Sequence, residues 1–298
     1  MKPISLSNQL SVSRLVYGWW RLMSWNLSTT DIVRRIEDCL ELGVTTHDHA
    51  DIYGDYQCEA TFGAALKQAP QLRERIQLIS KCGIKLVSAS RPEHARKAYD
   101  TSSRHIQQSV EQSLKNFHTD YLDLLLIHRP DPIMNVDEIA SAFNRLQKSG
   151  KVREFGVSNF TTSQFAMLQS RLDYPLVTNQ LEISVLCHDA FHNGTLDQAQ
   201  QLRRPPMAWS PLAGGKLFTE LSSRTEPVRD CLLKMAAQYH CSEDQIAYAW
   251  LLRHPAQIIP VVGSQSLHRL KQAVDSTQIK LSDNDWYTVW ESAGGKLP

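Results

Sequence analysis

Apolar positions in this 298-residue chain follow two alternating rhythms, short β-branched or aliphatic runs and longer stretches with apolar residues three and four apart. Residues 4–15 alternate weakly and predict a small opening hairpin. Leu15-Val16-Tyr17 predicts the first strand proper, ending at Gly18-Trp19-Trp20. Ser28-Thr29-Thr30-Asp31 is a helix N-cap signal ahead of Ile32, Val33, Ile36, Cys39 and Leu40 at helical spacing, and Gly43 stops that helix. The same two-part unit recurs. Strands are predicted at 44–46, 76–80, 121–127, 154–157, 176–180, 207–209 and 258–262. Helices are predicted at 58–67, 103–116, 136–149, 162–169, from Thr195, at about 227–240, at 242–253, 266–275 and 282–292.

Eight strands, each with a helix after it, imply a parallel sheet, and eight units favour closure into a barrel. An open doubly wound sheet would want a G-x-G-x-x-G turn after an early strand, and the sequence has none. No linker rich in Pro, Gly or Ser divides the chain. The expectation is α/β: a single (β/α)8 TIM barrel over residues 1–298, with a short N-terminal β-hairpin and extra C-terminal helices.

The polar residues point the same way. Asp48, Lys81, His128, Asn159, Gln180, Ser210 and Gly263 stand where predicted strands give way to loops. In a parallel barrel those ends share one rim, where active sites are built. In the stretch Thr45-Thr46-His47-Asp48-His49-Ala50-Asp51-Ile52-Tyr53-Gly54, Asp48 marks a strand mouth and Tyr53 returns over it. Gln77-Leu78-Ile79-Ser80 runs into Lys81, and Leu124-Leu125-Leu126-Ile127 into His128. Singly, these would read as a packing tyrosine, a surface lysine, a loop cap and a core histidine. Together a phenol, an ammonium, a carboxylate and an imidazole make a proton-transfer set. A cation within hydrogen-bond reach of Tyr53 would lower its phenol pKa from the usual value near 10. Lys81 could supply that cation, Asp48 could hold Lys81, and His128 could orient a substrate carbonyl.

Asp48-His49-Ala50-Asp51-Ile52-Tyr53, with Lys81 and His128, resembles the catalytic tetrad of the aldo-keto reductases, NAD(P)H-dependent carbonyl reductases on a barrel of parallel strands. The similarity continues through Gly156-Val157-Ser158-Asn159-Phe160, Asn179-Gln180, Trp209-Ser210-Pro211-Leu212 and Val262-Gly263-Ser264. The resemblance implies reduction of an aldehyde or ketone to an alcohol, with hydride from NADPH and Tyr53, Asp48, Lys81 and His128 as catalytic residues. It implies a nicotinamide amide gripped by Ser158, Asn159 and Gln180, with Trp209 against the ring. Gly18, Trp19 and Asp48 join the cofactor set. Ser210, Leu212, Gly214 and Lys216 would lie along the pyrophosphate. Gly263-Ser264 is expected to open a helix carrying Arg269 and Gln272, which with them would hold the adenosine 2′-phosphate. Many relatives carry a basic residue near Gln265 and an asparagine near Ala273, so weaker discrimination against NADH is expected. Trp19, Trp20 and Arg129 are placed at the mouth, the two tryptophans reading equally as barrel packing, and Trp20, Tyr53, His128 and Arg129 are the substrate contacts. The segment 84–101, with Arg91, His94, Arg96 and Lys97, reads as a solvated flap.

Composition narrows the alternatives. A formal net charge of +1 gives no broad field for nucleic acid or an anionic membrane. Hydrophobic content of 42% suffices for a large core, yet no apolar run reaches the roughly 20 residues of a membrane helix. Cys39, Cys58, Cys82, Cys187, Cys231 and Cys241 form no C-x-x-C pair, and the first ten residues lack the apolar centre of a signal peptide. A cytoplasmic monomer acting on a small carbonyl compound is expected, with no metal. His47-Asp48-His49 is an H-x-H that a metal-dependent hydrolase could use. It stands on the second strand, however, and no further His follows the fifth and sixth strands. The third reading is a binding protein that keeps the cofactor site as a redox sensor.

Overall fold

The computed structural model describes residues 1–220 and 222–296. An antiparallel hairpin opens the chain, β1 (Ile4–Ser5) against β2 (Ser11–Val12). The long strands are β3 (Val16–Gly18), β4 (Thr46–Asp48), β5 (Gln77–Cys82), and, after a short pair β6 (Ile84–Lys85) and β7 (Ala98–Tyr99), β8 (Leu122–Ile127) and β9 (Val152–Ser158). Then come β10 (Asn179–Glu182), β11 (Met207–Trp209) and β12 (Ile259–Val262). Eight of these form a closed barrel in the order β10-β11-β12-β3-β4-β5-β8-β9. The barrel expected from the alternation is therefore present. The residues group into two compact units, Lys2–Asn179 and Gln180–Pro298 with Met1.

In the first unit β3, β4, β5, β8 and β9 pair in parallel, with Gly18 beside Asp48, Asp48 beside Ile79, and Lys81 beside Leu126. All six residues of β8 are buried, as expected of a parallel strand covered on both faces. The helices Thr29–Glu41, Cys58–Gln68, Ser103–Phe117, Val136–Lys148 and Thr162–Gln169 follow their strands in turn. Four of them start at side chains that satisfy free backbone N–H groups, of which the one at Ser28 is the signal read from the sequence. Ser28 and Asp31 form a capping box, as do Thr161 and Gln164, and Ser102 and Asn135 cap the helices after them.

The second unit holds β10, β11 and β12, registered Gln180 to Met207 and Met207 to Ile259. Its core is built on aromatic stacking. Trp250 and Trp286 lie 5.0 Å apart and nearly parallel, and each indole N–H donates to the other's backbone carbonyl. Trp290 stacks on Trp286 at 5.6 Å and on His188 at 4.3 Å.

Three expectations need correction. Segment 84–101 is not wholly a solvated flap, since β6 and β7 pair antiparallel across it. Arg96 and Lys97 are exposed, but the backbone N–H of Leu86 donates to the Tyr56 hydroxyl at 2.8 Å, and Arg91 lies over the Tyr56 ring at 4.9 Å. Second, Gly263-Ser264 does not open a helix. That helix is Leu267–Asp275, capped by Ser266, and Ser264 Oγ instead accepts from the Ser266 N–H. Third, Gln180 is not at a strand's end but the second residue of β10. Val177 and Thr178 already bond to β9, which carries that strand's start onward. Among the described residues, no helix is long and apolar enough to cross a membrane, and all six cysteines are free thiols.

The helices Cys58–Gln68 and Ser103–Phe117 meet at Gly63, where a Cβ would come 1.9 Å from the Asn116 carbonyl oxygen. A backbone carbonyl cannot swing aside as a side chain can, so Gly63→Ala must separate the helices. The variant is expected to lose about 2 kcal/mol or more, read as a lower urea midpoint at unchanged slope; an unchanged midpoint would contradict this packing.

Candidate active site

Strand alternation sorts the first motif. Side chains of successive strand residues point to opposite faces, so Asp48 parts from His47 and His49. Both histidines are fully buried among aromatic rings. His49 stacks on Trp19 at 5.9 Å with ring planes 5° apart, and meets Phe62 and Phe117 edge-on at 4.5 and 5.0 Å. His47 Nδ1 accepts from the Trp19 indole N–H at 3.0 Å. Burial holds both imidazoles neutral, lowering the pKa of His47 to about 3 and that of His49 well below the usual value, with His47 and Lys81 adding to the latter. These two histidines pack among aromatic rings on the face away from Asp48. Trp19 departs from its expected place at the mouth. Its side chain is fully buried in this aromatic cluster, not at the mouth, because the indole N–H finds its partner inside.

On the other face stands Lys81. Its ammonium has three protons, and the structure gives each an acceptor: Asp48 Oδ2 at 2.7 Å, the His49 carbonyl at 2.8 Å and the Tyr53 hydroxyl oxygen at 3.1 Å. The Lys81 side chain is 0% exposed and that of Asp48 4%. Burial alone would discharge the ammonium, but Asp48 and Tyr53 together outweigh it and raise the pKa above the ordinary lysine value. Lys81 is therefore a cation at neutral pH. Tyr53 reverses an expectation. Its phenol pKa is raised rather than lowered, because burial outweighs the pull of Lys81, and Asp48 adds to the rise. At neutral pH Tyr53 is therefore a proton-bearing phenol.

His128 follows β8 and meets the Tyr53 ring edge-on at 5.8 Å. Burial first, then Lys81 and Arg129, hold its imidazole neutral. Its backbone is fixed from two sides, since its N–H donates to Cys82 and its carbonyl accepts from Asn159 Nδ2 at 3.2 Å. The Asn159 amide also donates to Ser158 Oγ at 2.8 Å. Asn159 adopts a left-handed backbone, φ 61°, which asparagine tolerates better than most residues. The geometry thus brings together Asp48, Tyr53, Lys81, His128, Ser158 and Asn159. Gly18 is buried at the end of β3, opposite Asp48, whereas Trp20 is 60% exposed and carries the Arg21 guanidinium over its ring. Arg129 is half-buried.

A family comparison fits this arrangement. The model of the Aldo/keto reductase family matches residues 14–293. The chain belongs to the aldo-keto reductases. It is 53% identical over 284 residues to Oxidoreductase YdhF of Escherichia coli strain K12, covering 95% of this chain and 94% of that protein. It is 45% identical over 298 residues to a 6-dehydroglucose reductase of Agrobacterium fabrum, covering 99% of each. Among solved structures, an aldo/keto reductase from Klebsiella pneumoniae in complex with NADP and acetate superposes with a TM-score of 0.78 at 25% identity, covering 97% of this chain and 94% of that one.

In this aldo-keto reductase the second unit carries the remaining cofactor candidates. Gln180 is 2% exposed, with its amide N–H toward Met207 Sδ at 3.9 Å. Trp209 is half-buried at the end of β11, and the backbone after it turns repeatedly left-handed at Ser210, Ala213, Gly214 and Gly215. Space is open within 4 Å of Gly214 and Gly215, and Lys216 is exposed beside them. Leu212 packs against the core of this unit. Arg269 is exposed in the first turn of the helix Leu267–Asp275, after the open Gly263-Ser264 turn. Gln272 is already engaged, donating to Ser242 Oγ at 3.1 Å. Ala273, where many relatives place an asparagine, is fully buried. Neutral amides, a glycine turn with room at its backbone and one accessible guanidinium are a donor set that suits a phosphorylated dinucleotide.

Two features escaped the sequence. Tyr56 was an ordinary aromatic residue there, and only the fold shows it tying segment 84–101 to the Tyr53 turn. Glu59 falls in the predicted helix 58–67 with no role assigned to it, yet it is buried and accepts three side-chain hydrogen bonds. An outward-facing glutamate would carry the same sequence signal.

Buried neutral imidazoles make stability pH-dependent. His47 folds with a pKa of about 3 against an ordinary 6.5, so between those values the unfolded chain binds the proton and the native state does not. Its contribution is complete above pH 6.5 and is lost as pH falls toward 3. Asn at this position keeps an acceptor for Trp19 without a titrating group. The stability gap between wild type and His47→Asn, from urea unfolding, is expected to narrow by about 3 kcal/mol between pH 7 and pH 4. A constant gap would mean that His47 is not held neutral.

Proposed function

We propose that this aldo-keto reductase is an NADPH-dependent carbonyl reductase in which Tyr53 is the general acid. The observation that carries the reading is the Lys81 ammonium, buried and donating at once to the Asp48 carboxylate and the Tyr53 oxygen. Bound NADPH supplies the hydride to the carbonyl carbon. As the carbonyl oxygen gains charge, Tyr53 gives it the phenolic proton, and the phenolate left behind is stabilised by Lys81. A phenol held protonated by burial keeps the acid loaded, while the adjacent cation favours its release as negative charge develops. Neutral His128 orients the carbonyl oxygen through its imidazole. A preorganised donor of this kind in a dry site contributes about 3 kcal/mol to the transition state. Asp48 acts through Lys81, cancelling a charge that burial would otherwise remove.

Ser158 and Asn159, with Gln180, take the nicotinamide carboxamide in this reading, and Trp209 takes the ring. Gly18, Ser210, Leu212, Gly214 and Lys216 accompany the ribose and pyrophosphate. Gly263, Ser264 and Arg269 hold the 2′-phosphate. Gln272 joins them through the amide N–H that its bond to Ser242 Oγ leaves over. Trp20 and Arg129 contact the substrate. We read the whole chain, 1–298, as one catalytic domain, acting as a cytoplasmic monomer on a small carbonyl compound. The extent of the likeness to a 6-dehydroglucose reductase, 45% over the chain, favours a sugar aldehyde within that class.

Purified protein should oxidise NADPH with nitrobenzaldehyde and with 6-dehydroglucose, the sugar giving the higher kcat/KM if the narrower reading holds. Tyr53→Phe should lower kcat by about a thousandfold while NADPH still quenches protein fluorescence. Unchanged turnover in that variant sinks the acid assignment. Arg269→Ala should raise the KM for NADPH about tenfold and leave that for NADH unmoved; an equal effect on both cofactors would remove Arg269 from the 2′-phosphate.

A further inference from the structure

A second buried carboxylate, Glu59, takes no part in the reaction outlined above. It is 1% exposed, near the start of the helix Cys58–Gln68. Its Oε1 accepts from Ser80 Oγ at 2.6 Å and Ser113 Oγ at 2.9 Å, and its Oε2 from Asn116 Nδ2 at 3.1 Å. Ser113 and Asn116 lie on the helix Ser103–Phe117, whereas Ser80 lies on β5, one residue before Lys81. Since neighbouring strand residues face opposite ways, Ser80 turns toward the helices and Lys81 toward Asp48. One carboxylate thus ties the Lys81 strand to the helix that follows Tyr53.

The chain between Tyr53 and that helix is strained, although Gln57 N–H donates back to the Tyr53 and Gly54 carbonyls. Gly54, Asp55 and Tyr56 are three consecutive residues in the left-handed region, with φ of 57°, 56° and 66°. Two side chains of this kind outside glycine store strain that surroundings must maintain. The Tyr53 segment is anchored to β5 on both sides. Upstream, the Asp51 backbone N–H donates to the Lys81 carbonyl at 3.0 Å. Downstream, the anchor is Ser80 on Glu59. We propose that Glu59, acting through Ser80, is a positioning residue that keeps the Tyr53 hydroxyl on Lys81 Nζ. This role rests on the reading of Tyr53 as the acid. A displacement of about 1 Å at such a contact suffices to cost a large share of the rate.

The alternative is that Glu59 merely clamps helix to helix, and the serines separate the two. Ser80→Ala and Ser113→Ala each remove one hydrogen bond from the same oxygen, but only Ser80 is on the Lys81 strand. The probe is the Tyr53 ionisation itself, followed by NMR of ¹³Cζ-labelled tyrosine and assigned by its loss in Tyr53→Phe. Without its cation in place the phenol ionises at higher pH. Ser80→Ala is therefore expected to move the Tyr53 titration and the alkaline limb of kcat upward together. It should lower kcat about tenfold and leave NADPH affinity unchanged. Ser113→Ala should leave the Tyr53 titration at its wild-type position. Glu59→Gln keeps an acceptor for both serines and should restore the wild-type titration, which Glu59→Ala, if it folds, should not. A wild-type titration in Ser80→Ala, or equal shifts in both serine variants, overturns the proposal. Wild-type protein that turns over no carbonyl would sink the reductase reading alone, because the NMR titration decides the positioning role without turnover.

Discussion

One ammonium group orders the first unit. Lys81 is buried where a free charge would cost several kcal/mol, and it persists because its three protons all find oxygen acceptors. That requirement places the neighbours. The Asp48 carboxylate must close on it, the His49 carbonyl must turn inward, and the Tyr53 hydroxyl must complete the set. A lysine at the surface would impose none of this. The same three contacts that satisfy the buried ammonium are the ones the proposed mechanism uses to stabilise a Tyr53 phenolate, which joins stability to the proposed chemistry at this residue.

Support for that centre comes from polar groups that burial makes obligatory. Glu59 is expensive to bury and acquires three donors, from β5 and the helix Ser103–Phe117. Asn179 does comparable work after β9, its amide donating to the Phe160 carbonyl while its oxygen accepts the Phe160 N–H. That loop carries Ser158 and Asn159. In both places a buried side chain bonds across to another segment, and so governs how the neighbouring residues are presented.

The second unit follows a different logic. Its core is a stack of indoles in which Trp250 and Trp286 each donate their N–H to the other's backbone carbonyl, so these two large rings are buried with their donors met. The groups suited to a dinucleotide stand in open positions: Gly214 and Gly215 with room around them, and Arg269 exposed. Openness there suits a ligand that brings its own charge, as closure suits Lys81.

The sequence by itself determined the order of strands and helices, most helix starts and the identity of the ionisable groups. These rest on local chemistry: Ser28, Ser102 and Thr161 satisfy backbone groups within three residues of themselves, and a buried parallel strand such as Leu122–Ile127 needs apolar side chains on both faces. Burial and partnership are long-range, and the tertiary structure decided them. Trp19 left the mouth for the core because His47, twenty-eight positions away, accepts its N–H. Tyr53 kept its proton because burial outweighs Lys81. Glu59 turned from a helix-start residue into a three-way junction because Ser80, Ser113 and Asn116 meet it, and no spacing along the chain encodes that meeting.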